Sequence, residues 1–345
     1  KYFINLFSSG SKHSGTLMAR MAKDQSIAYN SNVYKLGIAQ YKGNMEDMLE
    51  LLKENNIPTI LGTLTCNLID QKPFISGTEN PNANSYYAKG KKEFSNGNLK
   101  LAKEYLNKAK DLDLLRFRAP SEINKIILEL SKKYNFPCVD IETEYNTLSK
   151  NGISGDDVMT DHLHPTVSGY NYIGKLYFEE MVKNNFVPDN RKLNLTNSQQ
   201  DSITIKELKY SIVDSLITKY RITILKNDWP YVDKQTPLKE VLRQFNLKNY
   251  VDSLALYVVD SKLSWEKAHR DAAAYFLKKG EIDKFIYEMD LLTDVYPQIK
   301  EYYQMAYSQL LVAKQFEKAY KYLYLDYNYK PNDFFANSLL QPLQA

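Results

Sequence analysis

Ile57-Pro58-Thr59-Ile60-Leu61-Gly62-Thr63-Leu64 is a short apolar, β-branched run without clean alternation, the pattern of a strand covered on both faces. Ahead of it, from Gly15 to Lys53, apolar residues recur at helical spacing: Leu17, Met18 and Met21, then Ile38, Tyr41, Met45, Met48, Leu49 and Leu52. That spacing predicts two helices, the second ending in the Asn55-Asn56 turn. Helix, turn and buried strand make half of a βαβ unit. The order returns downstream, with a helix over 121–134 on Ile123, Ile126, Ile127 and Leu130, then a strand over 136–141. A third helix begins after Pro165 and carries Tyr172, Ile173, Leu176, Tyr177 and Met181 along one face. The expected class is α/β, with part of a parallel sheet between helical layers.

Residues 83–116 break this rhythm. They match the 34-residue tetratricopeptide template at its small positions, with Gly90 at position 8, Gly97 at 15, Ala102 at 20 and Ala109 at 27. One helical hairpin is therefore expected as an insertion in an α/β domain of residues 1–188. After Pro188 the chain turns polar, and 189–202 is expected to be a linker. The rest, 203–345, is expected to be an all-α domain of tetratricopeptide-like repeats. Residues 266–299 place Ala273 at position 8, Gly280 at 15 and Pro297 at 32; residues 300–333 place Ala319 at 20 and Pro331 at 32. Two prolines 34 apart close successive helical pairs. Residues 203–256 are helical but fit the template poorly. Repeats of this kind expose a groove for a peptide or protein ligand, or else brace the neighbouring domain.

Composition narrows the function classes. Apolar residues make up 43% and charged residues 25% of the 345, ordinary for a folded globular chain of two domains. With 45 basic and 41 acidic side chains and no long block of either sign, nucleic acid is excluded as an expected partner. The 28 tyrosines fit an AT-rich codon bias, and Tyr is also favoured at interfaces. No run of 18 apolar residues is present, so no membrane span is expected in this chain. Cys66 and Cys138 are far apart and show no ligand spacing; they are expected to be small buried hydrophobes near strand ends. The chain begins at Lys1 without an initiator Met, which looks like the middle of a longer protein.

The chemistry-bearing stretch is Asp161-His162-Leu163-His164-Pro165, after the second strand and before a helix. In open α/β sheets ligands sit beyond the carboxyl ends of the strands. Asp161 and His164 are three apart, so one turn brings the carboxylate to Nδ1 of the imidazole. The carboxylate fixes the tautomer and leaves Nε2 to take a proton from a nucleophile. Pro165, at the expected first helical position, pre-sets the chain direction. His162 fits the bland role of a neighbour, and His13 and His269 have no partner pattern and are expected at the surface or in a groove.

This block resembles the Asp-x-x-His-Pro block of the SGNH (GDSL-like) hydrolases. The text around Asn67 to Phe74 and Leu115 to Pro120 resembles the members that carry tetratricopeptide repeats. The resemblance covers roughly 17–185 and implies a three-layer αβα fold. It implies Asp161 as the triad aspartate and His164 as the triad histidine. It also implies a serine ester hydrolase or O-acyl transferase that needs no metal and no organic cofactor. Asn67 and Asp70 are expected as substrate contacts. Arg116 and Arg118 are expected either to clamp an anionic group or to anchor the inserted hairpin. The family's Gly-Asp-Ser block and its Gly and Gly-x-Asn-Asp oxyanion blocks are not legible. Two strands can be counted where the family has about five. An N-terminal portion, from the same protein or another chain, is therefore expected to complete the sheet and supply the nucleophile. Within the chain, 1–7 as a strand and Ser9 as a degenerate nucleophile is a rival placement, although that Ser/Gly run reads equally as a loop. The resemblance also suggests an extracytoplasmic or membrane-associated setting. The alternative function is a non-catalytic scaffold that binds through its helical repeats.

Overall fold

The computed structural model of the protein describes residues 26–188 and 195–329. The chain divides into two compact units, Lys1–Leu195 with Asp228–Lys234, and Thr196–Asn227 with Gln235–Ala345. The expectations for the strand at 1–7, Ser9, His13, the helix around Met18, residues 189–194 and Pro331 lie outside the described residues.

The first unit is layered about a parallel strand pair. Helix α1 (Asn32–Glu54) starts at Ser31, whose hydroxyl accepts the N–H of Tyr34. Strand β1 (Leu61–Gly62) follows, then helices α2 (Ala83–Ser95), α3 (Leu99–Leu112) and α4 (Ser121–Tyr134), strand β2 (Cys138–Val139), α5 (Ile141–Leu148) and α6 (Val167–Lys183). β1 and β2 pair in parallel with Leu61 opposite Cys138 and Gly62 opposite Val139. On one face Leu61 is buried with Leu49 of α1 and Ile126, Ile127 and Leu130 of α4. On the other, Val139 packs with Ile141, Tyr145, Val158 and Met159, covered by Tyr172, Ile173, Leu176 and Tyr177 of α6. Tyr177 packs closely over Gly62, since a Cβ there would stand 2.1 Å from its hydroxyl and Tyr177 would have to move.

The strands are shorter than the sequence predicts. Pro58 and Pro137 cannot donate to a ladder, and Asp140 ends β2 by capping α5, accepting the N–H of Thr143 at 3.2 Å. Helix α5 is unforeseen by the periodicity, since eight residues are too few to show it. Ile57 and Leu64, expected under cover, are 47% and 48% exposed. Cys66 and Cys138 are free and only partly buried. Pro165 also differs from expectation: Thr166 caps α6 through the N–H of Gly169, so the proline stands one residue before the cap.

The hairpin of α2 and α3 turns at Gly97, whose φ of +79° suits glycine. Its small residues let the helices approach: Ala102 and Ala109 are buried, and a Cβ at Gly90 would lie 2.7 Å from Leu106 Cγ and 3.2 Å from the Ala102 carbonyl oxygen. The hairpin buries Ala102 and Leu106 against Leu68, Ile69 and Ile153.

The second unit is helical throughout its described residues: α7 (Asn197–Glu207), α8 (Ile212–Leu225), α9 (Leu238–Arg243), α10 (Tyr250–Val259), α11 (Trp265–Lys278), α12 (Ile282–Val295), α13 (Lys300–Val312) and α14 (Phe316–Tyr329). The expected linker yields to α7 from Asn197, because Thr196 and Gln199 form a capping box. A single core joins α8 and α10–α14, with Ala268, Ala272, Ala273, Ala306 and Ala319 fully buried between Phe285, Met289, Leu292, Tyr307 and Tyr322.

His269, expected at the surface or in a groove, is sealed in that core. Its Nδ1 lies 2.5 Å from Glu288 Oε2 and its Nε2 3.3 Å from Asp214 Oδ1, while Trp265 packs tilted against the ring and donates to Asp214 at 2.8 Å. Burial disfavours the charged ring, but the carboxylates of Asp214 and Glu288 beside it outweigh that and raise its pKa. A raised pKa makes the stabilisation complete below the unfolded value of about 6.5 and lost as pH rises through the higher folded value.

Two outcomes are expected. Gly90→Leu overpacks the hairpin and costs about 1–3 kcal/mol in chemical denaturation. Thermal melting of the wild-type chain shows the helical unit losing stability on the alkaline side, and in His269→Gln the loss follows the buried Glu288 alone, whose pKa burial raises.

Candidate active site

The site is built on two loops stitched together by short polar side chains. Asn67 is buried and spans them: its Oδ1 accepts the N–H groups of Asp70 and Gln71, and its Nδ2 donates to Asp156 Oδ1 at 2.7 Å. Asp70 is exposed, but its Oδ2 accepts the N–H of Asp156 at 3.0 Å and its Oδ1 lies 3.5 Å from Lys91. Ser154 donates to the Cys66 carbonyl and receives the N–H groups of Leu68 and Ile69 on its own. Gly155 permits the close approach, since a Cβ there would meet Asp70 Oδ2 at 2.4 Å. Downstream, Asp157 accepts from the Ser149 hydroxyl and the Lys150 N–H, which closes the approach to residue 158.

Between Met159 and Pro165, joined by an antiparallel bridge, the chain makes the turn that carries the motif. Thr160 donates its N–H to the His164 carbonyl at 2.7 Å and its hydroxyl to that of Pro165 at 3.0 Å. Inside this turn the Asp161 side chain is only 2% exposed. Its Oδ1 accepts the N–H groups of Leu163 at 2.8 Å and His164 at 2.7 Å. Its Oδ2 lies 2.7 Å from Nδ1 of His164. Burial pushes the carboxyl pKa up, yet the two peptide N–H groups and the imidazole more than offset it and hold it below its ordinary value. Asp161 therefore stays ionised at neutral pH.

The His164 side chain is 55% exposed. With Nδ1 committed to Asp161, the proton-accepting position left is Nε2, on the far edge of an imidazole open to solvent. A charged carboxylate behind an accessible ring can orient it and stabilise the imidazolium that forms. His162, next in sequence, is buried with its ring edge-on to Phe74 and tilted against Phe117, so the same words of sequence give one open and one closed imidazole.

The remaining sequence-predicted residues are engaged by the protein itself. Arg116 donates to the carbonyls of Ile27 and Asp111 and lies over the Tyr34 ring at 5.1 Å. Arg118 is buried; it donates to the carbonyls of Asn67 and Gln71 and pairs with Asp113 at 3.3 Å. Arg118 thus links Asp113, just after α3, to the 67–71 loop, while Arg116 links Asp111 to Ile27. Sequence reasoning missed Phe74, Phe117, Trp229 and Tyr231, which cluster around His162. Only the density of aromatics around them hinted at it. Among the described residues no group of three His, Cys, Asp or Glu side chains forms a metal site, and no helix is long and apolar enough to cross a membrane.

Residues 19–177 match the family model described as GDSL-like lipase/acylhydrolase. The matched span covers α1 to most of α6 and includes both Asp161 and His164, and it supports an SGNH-type hydrolase domain of α/β class in this part of the chain. The comparisons with curated proteins and with solved structures gave no match.

Asn67→Ala leaves the Asp70 and Gln71 N–H groups without their acceptor and removes the amide that donates to Asp156. It is expected to lower the stability of the first unit by about 1–3 kcal/mol, measured by chemical denaturation.

Proposed function

We propose that the segment similar to the GDSL-like lipases and acylhydrolases works as a serine ester hydrolase or O-acyl transferase, with His164 and Asp161 as its base and its orienting carboxylate. The observation that carries this reading is the 2.7 Å bond from a buried, ionised Asp161 to an imidazole that is half open to solvent. His164 Nε2 removes the proton of the serine hydroxyl as it attacks the ester carbonyl. The same nitrogen then returns that proton to the leaving alkoxide, and Asp161 stabilises the imidazolium between the two events. Hydrolysis or transfer is decided by whether water or a second hydroxyl takes the acyl group.

The serine and the oxyanion donors belong, in this proposal, to a polypeptide segment outside the described residues that extends the sheet beside β1. Supporting this, the described sheet has two strands, and strand alternation turns the Gly62 peptide groups away from β2. Asn67 and Arg118 act in this reading as framework for the Asp161 turn, while Asp70, exposed beside it, remains the residue best placed to meet an acceptor. The acyl group is carried on an alcohol, with a carbohydrate hydroxyl as the acceptor suggested by family analogy alone.

The helical hairpins fit tetratricopeptide repeats, at 83–116 within the hydrolase segment and at 266–299 and 300–333 beyond it. Helices α11 to α14 follow this spacing, with buried alanines at the crossing points. Such repeats hold a peptide or a protein helix in their groove.

The reading is tested with the complete protein and p-nitrophenyl acetate. His164→Ala is expected to abolish turnover, and Asp161→Asn to reduce kcat about 10²–10⁴-fold with little change in KM. Undiminished hydrolysis by His164→Ala overturns it.

A further inference from the structure

The ring of His162 stands beside the Asp161 and His164 pair without belonging to it. Its Nδ1 is 2.6 Å from the Tyr231 hydroxyl and 3.7 Å from Asp161 Oδ1, the second separation being too long for a hydrogen bond. Tyr231 lies in Asp228–Lys234, a segment that follows α8 in sequence and is part of the first unit. Its ring packs at 5.4 Å on Phe74 and 5.8 Å on His162, and its neighbour Trp229 packs on Phe117. Among the described residues the titratable groups recorded around His162 are Asp161, His164 and Tyr231. The loops packed against it offer the rings of Phe74 and Phe117 and the Asn67 N–H, which donates to the His162 carbonyl. The nearby Arg118 and Asp113 are paired with each other.

We infer that Tyr231 is a positioning residue: its hydroxyl donates to Nδ1 of His162, keeps that ring neutral, and so reserves Asp161 for His164. The inference rests on Asp161 and His164 being the working pair. At 2.6 Å from Nδ1 the phenol supplies the hydrogen of this bond when the ring carries its own proton on Nε2. Burial and the charge of Asp161 raise the phenol pKa, so that hydrogen is retained.

Without this bond two things change at once. Nδ1 of His162 loses the phenol and can take up a proton facing Asp161 Oδ1, where it competes with the peptide N–H groups that hold the turn. A charged ring at 162 also stands 6.3 Å, centre to centre, from the ring of His164, and like charge at that distance weakens proton binding by the base. Tyr231 therefore acts on His164 through His162, never touching the reacting atoms.

The test uses the full chain with ¹⁵N-labelled histidine, wild type against Tyr231→Phe, followed by long-range ¹⁵N–¹H spectra from about pH 5 to about pH 9. Resonances are assigned with single histidine variants. In the wild type His162 is expected to be neutral with its proton on Nε2 throughout. In Tyr231→Phe it is expected to titrate or to move its proton to Nδ1, and His164 to bind its proton about threefold more weakly. With p-nitrophenyl acetate, kcat of Tyr231→Phe is expected to fall about tenfold at unchanged KM, with an altered pH profile. Identical His162 and His164 spectra in the two proteins overturn the inference. So does a changed His162 with an unmoved His164 titration. If the His164 shift is seen but neither protein hydrolyses any ester, the hydrolase reading fails and the positioning of His164 by Tyr231 stands.

Discussion

One buried carboxylate holds the turn between Met159 and Pro165 in shape. Asp161 receives two peptide N–H groups and an imidazole, and those three bonds define the turn from β2's layer into α6. A carboxylate so far from water costs several kcal/mol unless its lone pairs are satisfied. Here the satisfaction comes from the next three residues, so the charge and the fold of the turn are mutually dependent. The loops behind it follow the same rule. Asn67, Ser154 and Asp157 each accept or donate across the strands of a surface that has no ladder to do so.

The helical unit contains a second imidazole between carboxylates, and the contrast shows what exposure decides. His269 has Glu288 on one nitrogen and Asp214 near the other, and its ring has no exposed surface. Nothing from outside can reach it, so the charge cluster serves cohesion between α8, α11 and α12. His164 has a single carboxylate, and more than half of its side chain faces solvent. The same pair of residue types thus supports two uses, and burial separates them.

Much of this was legible in the sequence because it is local. The Asp161 to His164 spacing fixes their contact within one turn, and the small residues at Gly90, Ala102 and Ala109 fix the hairpin. Helices α1, α4 and α6 announce themselves by apolar period. What was not legible depends on contacts distant along the chain. Arg118 could equally have met a ligand, and only its three-way engagement with Asn67, Gln71 and Asp113 shows how its donors are used. His269 looked unremarkable because its partners are 19 and 55 positions away, as the residue numbers give. The extent of the strands was overestimated because apolar, β-branched runs do not say how many residues find a hydrogen-bonding neighbour.

The discontinuity of the first unit has a bearing on how such a chain can be inherited. Residues Asp228–Lys234 are encoded well beyond α6, among the helices of the other unit, yet they pack with Phe74, Phe117 and His162. No single crossover in the gene parts the two units cleanly, since a break near residue 195 strands this aromatic segment on the wrong side. Recombination that shuffles whole modules is therefore disfavoured at this junction, and the two parts are bound to descend together.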